Sequence, residues 1–311
     1  MKRVILLISI LTAALAVLPA AGERDTAERT DGKITVATTN FPAYDFVRQI
    51  AKDMVNIAML LPPGAESHSY EPSPRNMITI RNSDIFIHIG SEYWVDRIFK
   101  SMNTDSMKIL SMMNAVELVM EETTEGMEGG SSHGPGHYDE HVWTSPQNAI
   151  LIVRAITELL CTVNTDNADF FRQNSASYIT ELEKLDAAFK EVAANSRRKV
   201  IVFGDRFPFR YLADAYGLEY FAAFPGCSTQ TDASAATVAF LINKIRTERI
   251  PIVFHIELSN ERMANTISTE TGARKLLLHA CHNVSKRDFD SGLGYLDFMR
   301  NNVENLRQAL Y

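Results

Sequence analysis

Three of the chain's eight histidines, His133, His137 and His141, fall within nine residues, and this spacing predicts a site for a divalent metal ion. Imidazole is the commonest protein ligand for such ions. Glycine and proline separate His133 from His137, which indicates a mobile loop that collects metal, with a merely solvated loop as the alternative. His141 is followed by Val142 and Trp143, which can pack, so His141 is expected to be a fixed ligand.

Short apolar runs alternate with helical patterns, which is typical of parallel sheets covered on both faces. The runs predict strands at 34–39, 56–61, 85–90 and 108–112, and again at 199–204, 219–224, 252–256 and 275–279. Between the two sets, an uninterrupted helical pattern carries one apolar stripe. We therefore predict an α/β fold in which two doubly wound parallel-sheet lobes are joined by one long backbone helix, with the metal in the cleft.

The predicted N-terminal lobe covers residues 32–163 and contains the His-rich loop at 123–139. The linker helix covers 164–197, and the C-terminal lobe covers 198–311. Residues 1–21 are predicted to be a signal peptide, because Lys2 and Arg3 precede an apolar run and a small-residue cleavage site. No lipobox cysteine stands at that site, so we expect export to the periplasm or cell surface; whether the peptide is cleaved or anchors the chain stays open.

Polar side chains follow several of the predicted strands, at the sheet edge where open α/β folds bind their ligands. His68 lies in the loop after the second strand. The strands of the second lobe are followed by Asp205, Arg206, Cys227, Glu257, His279 and His282. A net charge of -7 argues against a nucleic-acid partner and suits a chain that collects cations. We also expect the protein to be a monomer.

Taken in order, several motifs resemble the substrate-binding proteins of zinc and manganese ABC importers, the cluster A-I metal-binding family in its zinc type. They are the segments 63–72, 140–146, 211–218, 270–273 and 295–302, together with the His-rich loop: PGAESHSYEP, EHVWTSP, YLADAYGL, ETGA and YLDFMRNN. The resemblance covers nearly the whole chain after the signal peptide. It implies that His68 and His141 are the first two metal ligands.

The second lobe departs from the family pattern. Arg206 stands where the pattern places a third histidine, and a guanidinium has only donors, so it cannot bind a cation. His279 stands where the pattern places an aspartate, which suggests that His279 supplies the missing imidazole while Asp205 or Glu257 supplies the carboxylate. Two alternatives stay open: Arg206 could pair with one of these carboxylates, or His282 could be the ligand while His279 makes a core hydrogen bond. Further candidates, as ligands or as their supports, are Glu66, Arg206, Glu257 and His282.

The cysteines are three in number: Cys161, Cys227 and Cys281. Cys227 and Cys281 each follow a strand of the second lobe, and export favours oxidation, so we predict a disulfide between them. A thiolate pair that binds a soft metal is the rival interpretation. Cys161 lies in an apolar helix and is expected to be a buried small hydrophobe.

Four protein ligands would leave no open position for a reacting molecule, and the sequence has no His-Glu-x-x-His motif, so a carrier is favoured over an enzyme. A set of histidines with one carboxylate suits Zn²⁺, with Mn²⁺ as the alternative. The resemblance implies an exported protein that captures zinc and delivers it to an ABC permease and its ATPase. A metal-binding surface adhesin or a metallochaperone outside transport is the alternative.

Overall fold

The computed structural model describes residues 32–128, 137–228, 230 and 232–311. The predicted signal peptide at 1–21 and His133 lie outside the described residues. The description below concerns the unit Lys33–Tyr311.

The first sheet has four parallel strands in the order β2-β1-β3-β4. Its strands are β1 (Ile34–Thr38), β2 (Val55–Met59), β3 (Ile85–His88) and β4 (Lys108–Ser111). The helices α1 (Phe41–Ala51), α2 (Pro74–Arg81), α3 (Tyr93–Ser101) and α4 (Pro146–Val163) accompany it. Helix α1 begins at Phe41, because the Asn40 side chain accepts a hydrogen bond from Ala43 N and Pro42 lies in the first turn.

The second sheet repeats this plan in the order β6-β5-β7-β8, again with all strands parallel. Its strands are β5 (Val200–Phe207), β6 (Glu219–Pro225), β7 (Ile252–His255) and β8 (Arg274–Leu277). Its helices are α6 (Arg210–Tyr216), α7 (Ala235–Glu248), α8 (Arg262–Thr271), α9 (Lys286–Asp290) and α10 (Tyr295–Leu310). The register between β5 and β6 shifts between Phe203 and Arg206, near the carboxyl end of β5.

The long helix α5 (Ala168–Ala194) lies between the two sheets in the chain and confirms the predicted linker helix. Its 27 residues span roughly 40 Å at about 1.5 Å per residue. The buried face is the predicted stripe: Phe171, Tyr178, Leu182, Leu185, Phe189 and Val192. One continuous hydrophobic core contains this stripe and residues of both sheets, such as Val36 of β1 and Phe203 of β5. The predicted α/β class, with two parallel sheets and one long helix, is confirmed.

Within the described residues, no helix is both long enough and apolar enough to cross a membrane.

Candidate metal site

Three histidines and one glutamate converge beyond the carboxyl ends of the strands. His68, Glu140, His141 and His282 each offer one ligand atom, and these four atoms all lie within 4.8 Å of one another. His68 is half-buried, and the other three residues are buried. Within about 2.0 Å of a tetrahedral zinc ion, donor atoms would lie roughly 3.3 Å apart. The cluster can therefore adopt such a geometry by small side-chain movements.

His68 lies in the loop between β2 and α2, as the sequence predicts. Its backbone N–H donates a hydrogen bond to Glu66 Oε1 at 3.1 Å. Its Nδ1 lies 3.4 Å from Glu140 Oε1, which brings the loop of His68 to the segment that carries His141. The hydrogen bond within the loop fixes the backbone of this ligand.

His141 is fully buried and directly precedes a 3₁₀ turn at Val142–Thr144. Asp139 Oδ1 accepts the backbone N–H of His141 at 2.8 Å and lies 3.0 Å from its Nδ1. Burial lowers the pKa of His141, but the Asp139 carboxylate outweighs it, so that the pKa is raised overall. A carboxylate on Nδ1 orients the ring and leaves Nε2 for a metal ion, the arrangement common behind histidines that bind metal.

His282 lies in the segment between β8 and α9. Its ring centroid is 5.2 Å from those of His68 and His141. Burial, with the nearby charges of His68 and His141, holds the pKa of His282 well below its usual range. The ring is therefore neutral and keeps a lone pair for a cation. Glu257 Oε1 accepts the backbone N–H of His282 at 3.1 Å.

Glu140 is a candidate ligand that the sequence did not single out, although it stands next to His141. The side chain is buried, and Ser91 Oγ donates a short hydrogen bond to its Oε2. Burial raises the pKa of this carboxyl, because a charged carboxylate is poorly solvated there. A bound cation would neutralise that charge.

Two ring nitrogens of the cluster point most directly to a cation site. His141 Nε2 and His282 Nδ1 are buried, and neither has a hydrogen-bond partner within the part of the chain that the structure describes. A buried polar atom without a partner costs about 1–3 kcal/mol, which a metal bond would remove. The site borders a cavity of about 30 Å³, which is also lined by Glu66, Arg206 and Glu257.

His279 is predicted as a ligand, but the structure places it outside the cluster. Its ring stacks on Phe298 with centroids 4.1 Å apart, and its Nδ1 accepts the backbone N–H of Cys281 at 3.0 Å. Burial lowers its pKa. This placement argues against the predicted His279 ligand and favours the alternative in which His282 binds metal and His279 makes a core hydrogen bond.

Asp205, predicted to supply the carboxylate, also lies outside the cluster. Its Oδ1 accepts the backbone N–H of Arg206 at 2.8 Å, and its Oδ2 accepts that of Ile256 at 3.5 Å. Burial raises the pKa of this carboxyl. These contacts join the ends of β5 and β7, and Glu140 takes the position near the histidines that Asp205 was expected to hold.

One alternative left open by the sequence is that Arg206 pairs with Asp205 or Glu257. Its guanidinium instead makes two hydrogen bonds with Glu66, both at 3.3 Å, and one with the Ser228 carbonyl at 3.1 Å. Glu257 accepts two backbone N–H groups, from Ala280 at 2.6 Å and from His282, so it supports the His282 segment.

His137 lies at the edge of a short antiparallel ribbon and away from the cluster. Its carbonyl accepts a hydrogen bond from the backbone N–H of Glu121 at 2.9 Å, and Met120 pairs with Tyr138 in an antiparallel β-bridge. Asp139 N donates to the carbonyl of Val119 at 2.9 Å. The ribbon thus joins the His-rich segment to the residue that orients His141, while the collector role of His133 and His137 stays a prediction.

The predicted disulfide is not present: no S–S bond joins the cysteines, all three of which belong to the described residues. Cys227 lies beside His141, and its sulfur is within 4.8 Å of ligand atoms of Asp139 and His141. Cys281 is turned toward the carbonyl of His279, at 3.8 Å from Sγ. Burial raises the pKa of both thiols well above the usual range. Cys161 is buried, as expected.

Comparison of the sequence with known proteins identifies the family to which the chain belongs. The model of the family described as zinc-uptake complex component A, periplasmic (ZnuA) matches residues 36–309. The high-affinity zinc uptake system protein ZnuA of Bacillus subtilis is 30% identical over 309 residues, covering 97% of this chain and 96% of that protein. The zinc-binding lipoprotein AdcA of Streptococcus pneumoniae is 31% identical over 315 residues, but the chain spans only 61% of its length.

A solved structure shows the same fold. The Zn(II)-bound ZnuA-like domain of Streptococcus pneumoniae AdcA superposes with a TM-score of 0.76 at 30% identity, covering 90% of this chain and 99% of that domain. The family model spans both sheets, the long helix and all four residues of the cluster. The chain therefore belongs to the ZnuA family of periplasmic zinc-uptake components.

Proposed function

We propose that this protein is an exported substrate-binding protein that captures Zn²⁺ and delivers it to an ABC permease and its ATPase. The observation that carries the proposal is the convergence of three histidines and Glu140, with two buried ring nitrogens that lack partners among the described residues. Such a donor set suits zinc better than manganese, which favours more oxygen ligands. Four protein ligands also favour a carrier over an enzyme, because a catalytic zinc keeps one position open.

The proposed ligands are His68, Glu140, His141 and His282. The family membership supports transport over a surface adhesin or a metallochaperone. It also supports export to the periplasm or cell surface, and an organisation in which the lobes at 32–163 and 198–311 are joined by the helix at 164–197.

The first experiment is a competition titration of the metal-free chain with Zn²⁺ against a fluorescent chelator, repeated with Mn²⁺. We expect one zinc ion per chain, and zinc to outcompete manganese. His68→Ala should lose this binding, while Glu71→Gln, on the same loop and outside the cluster, should retain it. Equal binding by all three proteins would overturn the proposed site.

The transport step needs a cellular test. In bacteria that lack their own zinc-binding component, co-expression of this chain with its permease and ATPase should restore growth in zinc-depleted medium. The His68→Ala variant should not restore it. Restoration by that variant would show that the chain acts without carrying zinc.

A further inference from the structure

We propose that Arg206 is a positioning residue, which holds the metal ligand His68 in place through Glu66. This inference rests on the proposed zinc-binding function and adds a role for the arginine that replaces a histidine of the family pattern. Arg206 comes from β5 of the second sheet, while Glu66 and His68 lie in the loop after β2 of the first.

The contact between the two sides is a two-pronged ion pair. Arg206 Nη1 lies 3.3 Å from Glu66 Oε1, and Arg206 Nη2 lies 3.3 Å from Glu66 Oε2. A planar guanidinium that meets both oxygens fixes the orientation of the carboxylate as well as its position. Glu66 Oε1 also accepts the backbone N–H of His68 at 3.1 Å. A single carboxylate oxygen therefore connects the arginine to the ligand residue.

The arginine end of this connection is firmly held. Arg206 Nη1 also donates to the carbonyl of Ser228 at 3.1 Å, and only 12% of its side chain is exposed. Its backbone N–H donates to Asp205, which also receives the N–H of Ile256 from the end of β7. Glu66 is 46% exposed, so its orientation depends on this partner more than on packing.

The first half of the His68 loop is attached to the side of the second sheet by hydrogen bonds of its own. Gly64 N donates to the carbonyl of Val284 at 2.8 Å, and Asn283 Nδ2 donates to the carbonyls of Pro62 and Ala65 at 2.8 and 2.9 Å. These bonds tie residues 62–65 to the segment that carries His282. The Arg206–Glu66 pair extends the attachment across to residues 66–68, where the ligand lies.

The charges of the pair fit a site for a cation. Arg206 borders the same cavity as His68, His141 and His282, and an isolated positive charge there would repel a divalent ion. Glu66 compensates that charge, because both of its carboxylate oxygens face the guanidinium. Arg206 thus supports a ligand without placing an unbalanced charge beside the metal.

The expected consequence is slower release of zinc. Once the ion is bound, dissociation requires His68 to move away, and the Arg206–Glu66 pair opposes that movement. Capture depends less on the pair, since changes within one binding site alter dissociation more than association. Because Glu66 is half-exposed, salt should weaken the effect.

The test compares Arg206→Gln, Glu66→Gln and the double variant by stopped-flow transfer of zinc to excess chelator. Each single variant should release zinc about two- to fivefold faster, and the double variant no faster than the faster single one. Arg206→Lys, which keeps the charge but not the fork, should fall between wild type and Arg206→Gln. Added salt should speed release from wild type and not from the variants. The matched control is Glu181→Gln on the long helix, which removes exposed ion pairs with Lys184 of the same helix and Arg300 of α10 and should not change the rate.

A second readout does not depend on zinc. In the metal-free chain, both single variants should shift the backbone amide resonance of His68 and speed its hydrogen exchange, while Glu181→Gln should not. Additive effects on release, or an unchanged His68 amide, would overturn the role of Arg206. Failure of the wild-type chain to bind zinc would instead overturn the proposed function, and the amide measurement would still decide whether Arg206 positions His68.

Discussion

The two sheets contribute unequally to the proposed site. Among the described residues, the segments that follow β2 and β4 supply His68, Glu140 and His141, whereas the second sheet supplies His282 alone. The segments that follow the strands of the first sheet, called the first side here, therefore hold three donors in neighbouring loops. The segments that follow the strands of the second sheet form the second side. The second side offers one donor, and most of its other polar residues support the site instead of binding metal.

The difference extends to how the donors are held. His141 is fixed by Asp139 from its own segment, two residues away. His282 lies in a segment that is hydrogen-bonded to the first side: Trp143 Nε1 donates to the carbonyl of Ala280 at 2.7 Å, and Phe41 N to that of His282 at 3.4 Å. The comparison teaches that His282 is held both by Glu257 of its own side and by residues of the other side, so both sides must be in contact for the site to be complete.

The largest effect should follow from removing a donor of the first side. His141→Ala deletes a buried ligand and leaves the Asp139 carboxylate without its imidazole. We expect zinc affinity to fall by more than about a hundredfold, because even changes behind a ligand typically cost 10–100-fold. Competition titration measures this, and circular dichroism checks that the fold is intact. An affinity within tenfold of wild type would contradict the site.

The second prediction separates the two histidines of the second sheet. His282→Ala should lose zinc affinity nearly as strongly as His141→Ala, since it removes the donor that the second sheet supplies to the cluster. His279→Ala should keep the affinity within a few-fold but lower the free energy of unfolding by about 1–3 kcal/mol, because a buried ring stacked on Phe298 is lost. Zinc titration and urea denaturation measure the two effects. The reverse pattern would restore His279 as the ligand.

The third prediction concerns the charge that the first side buries. The pKa of Glu140 is raised in the folded chain, so its protonated form favours folding below the unfolded pKa, and that contribution is lost as pH rises through the folded pKa. Above the unfolded pKa the buried carboxyl therefore makes the metal-free protein less stable than it is at lower pH. Glu140→Gln should raise the melting temperature of the metal-free chain at pH 7 and weaken zinc binding about tenfold or more. A lower melting temperature would contradict this assignment.

The smallest expected effect is that of Ser91→Ala. Ser91 donates a hydrogen bond to Glu140 Oε2 and is not itself a member of the ligand cluster. Its loss should weaken zinc binding by a few-fold, equivalent to about 1 kcal/mol for one hydrogen bond. Ser111→Ala, which removes a hydroxyl bonded to the Ile89 carbonyl, is the control and should leave zinc binding unchanged. Equal effects of the two changes would mean that Ser91 acts on stability alone.

The sequence predicted the fold well because its evidence is local. Buried parallel strands are short apolar runs, and the stripe on α5 recurs at the helical period, so both are visible without knowledge of the contacts between elements. His68 could be predicted for a similar reason: it lies in a loop at the carboxyl end of a strand. His141 was marked by the packed residues after it.

The ligand from the second sheet was harder to predict, because the segment after β8 that carries His279 and His282 turns in an unusual way. Cys281 adopts a φ of 60°, in the left-handed region that favours glycine, and this turn separates the direction of His279 from that of His282. A cysteine gives no sequence signal for such a turn. Glu140 was missed because only the backbone around His141 decides that two adjacent side chains both reach the site.

The backbone of each proposed histidine ligand is already held in place before zinc binds, which lowers the entropy cost of binding. Each backbone N–H is bound by a carboxylate: Glu66 for His68, Asp139 for His141 and Glu257 for His282. Ordering a backbone residue costs about 1–2 kcal/mol, and here folding has already met that cost before zinc arrives. Binding then has to restrict only the two torsions of each imidazole. A chain of this kind can hold its ion tightly with few donors, because little freedom is left to lose.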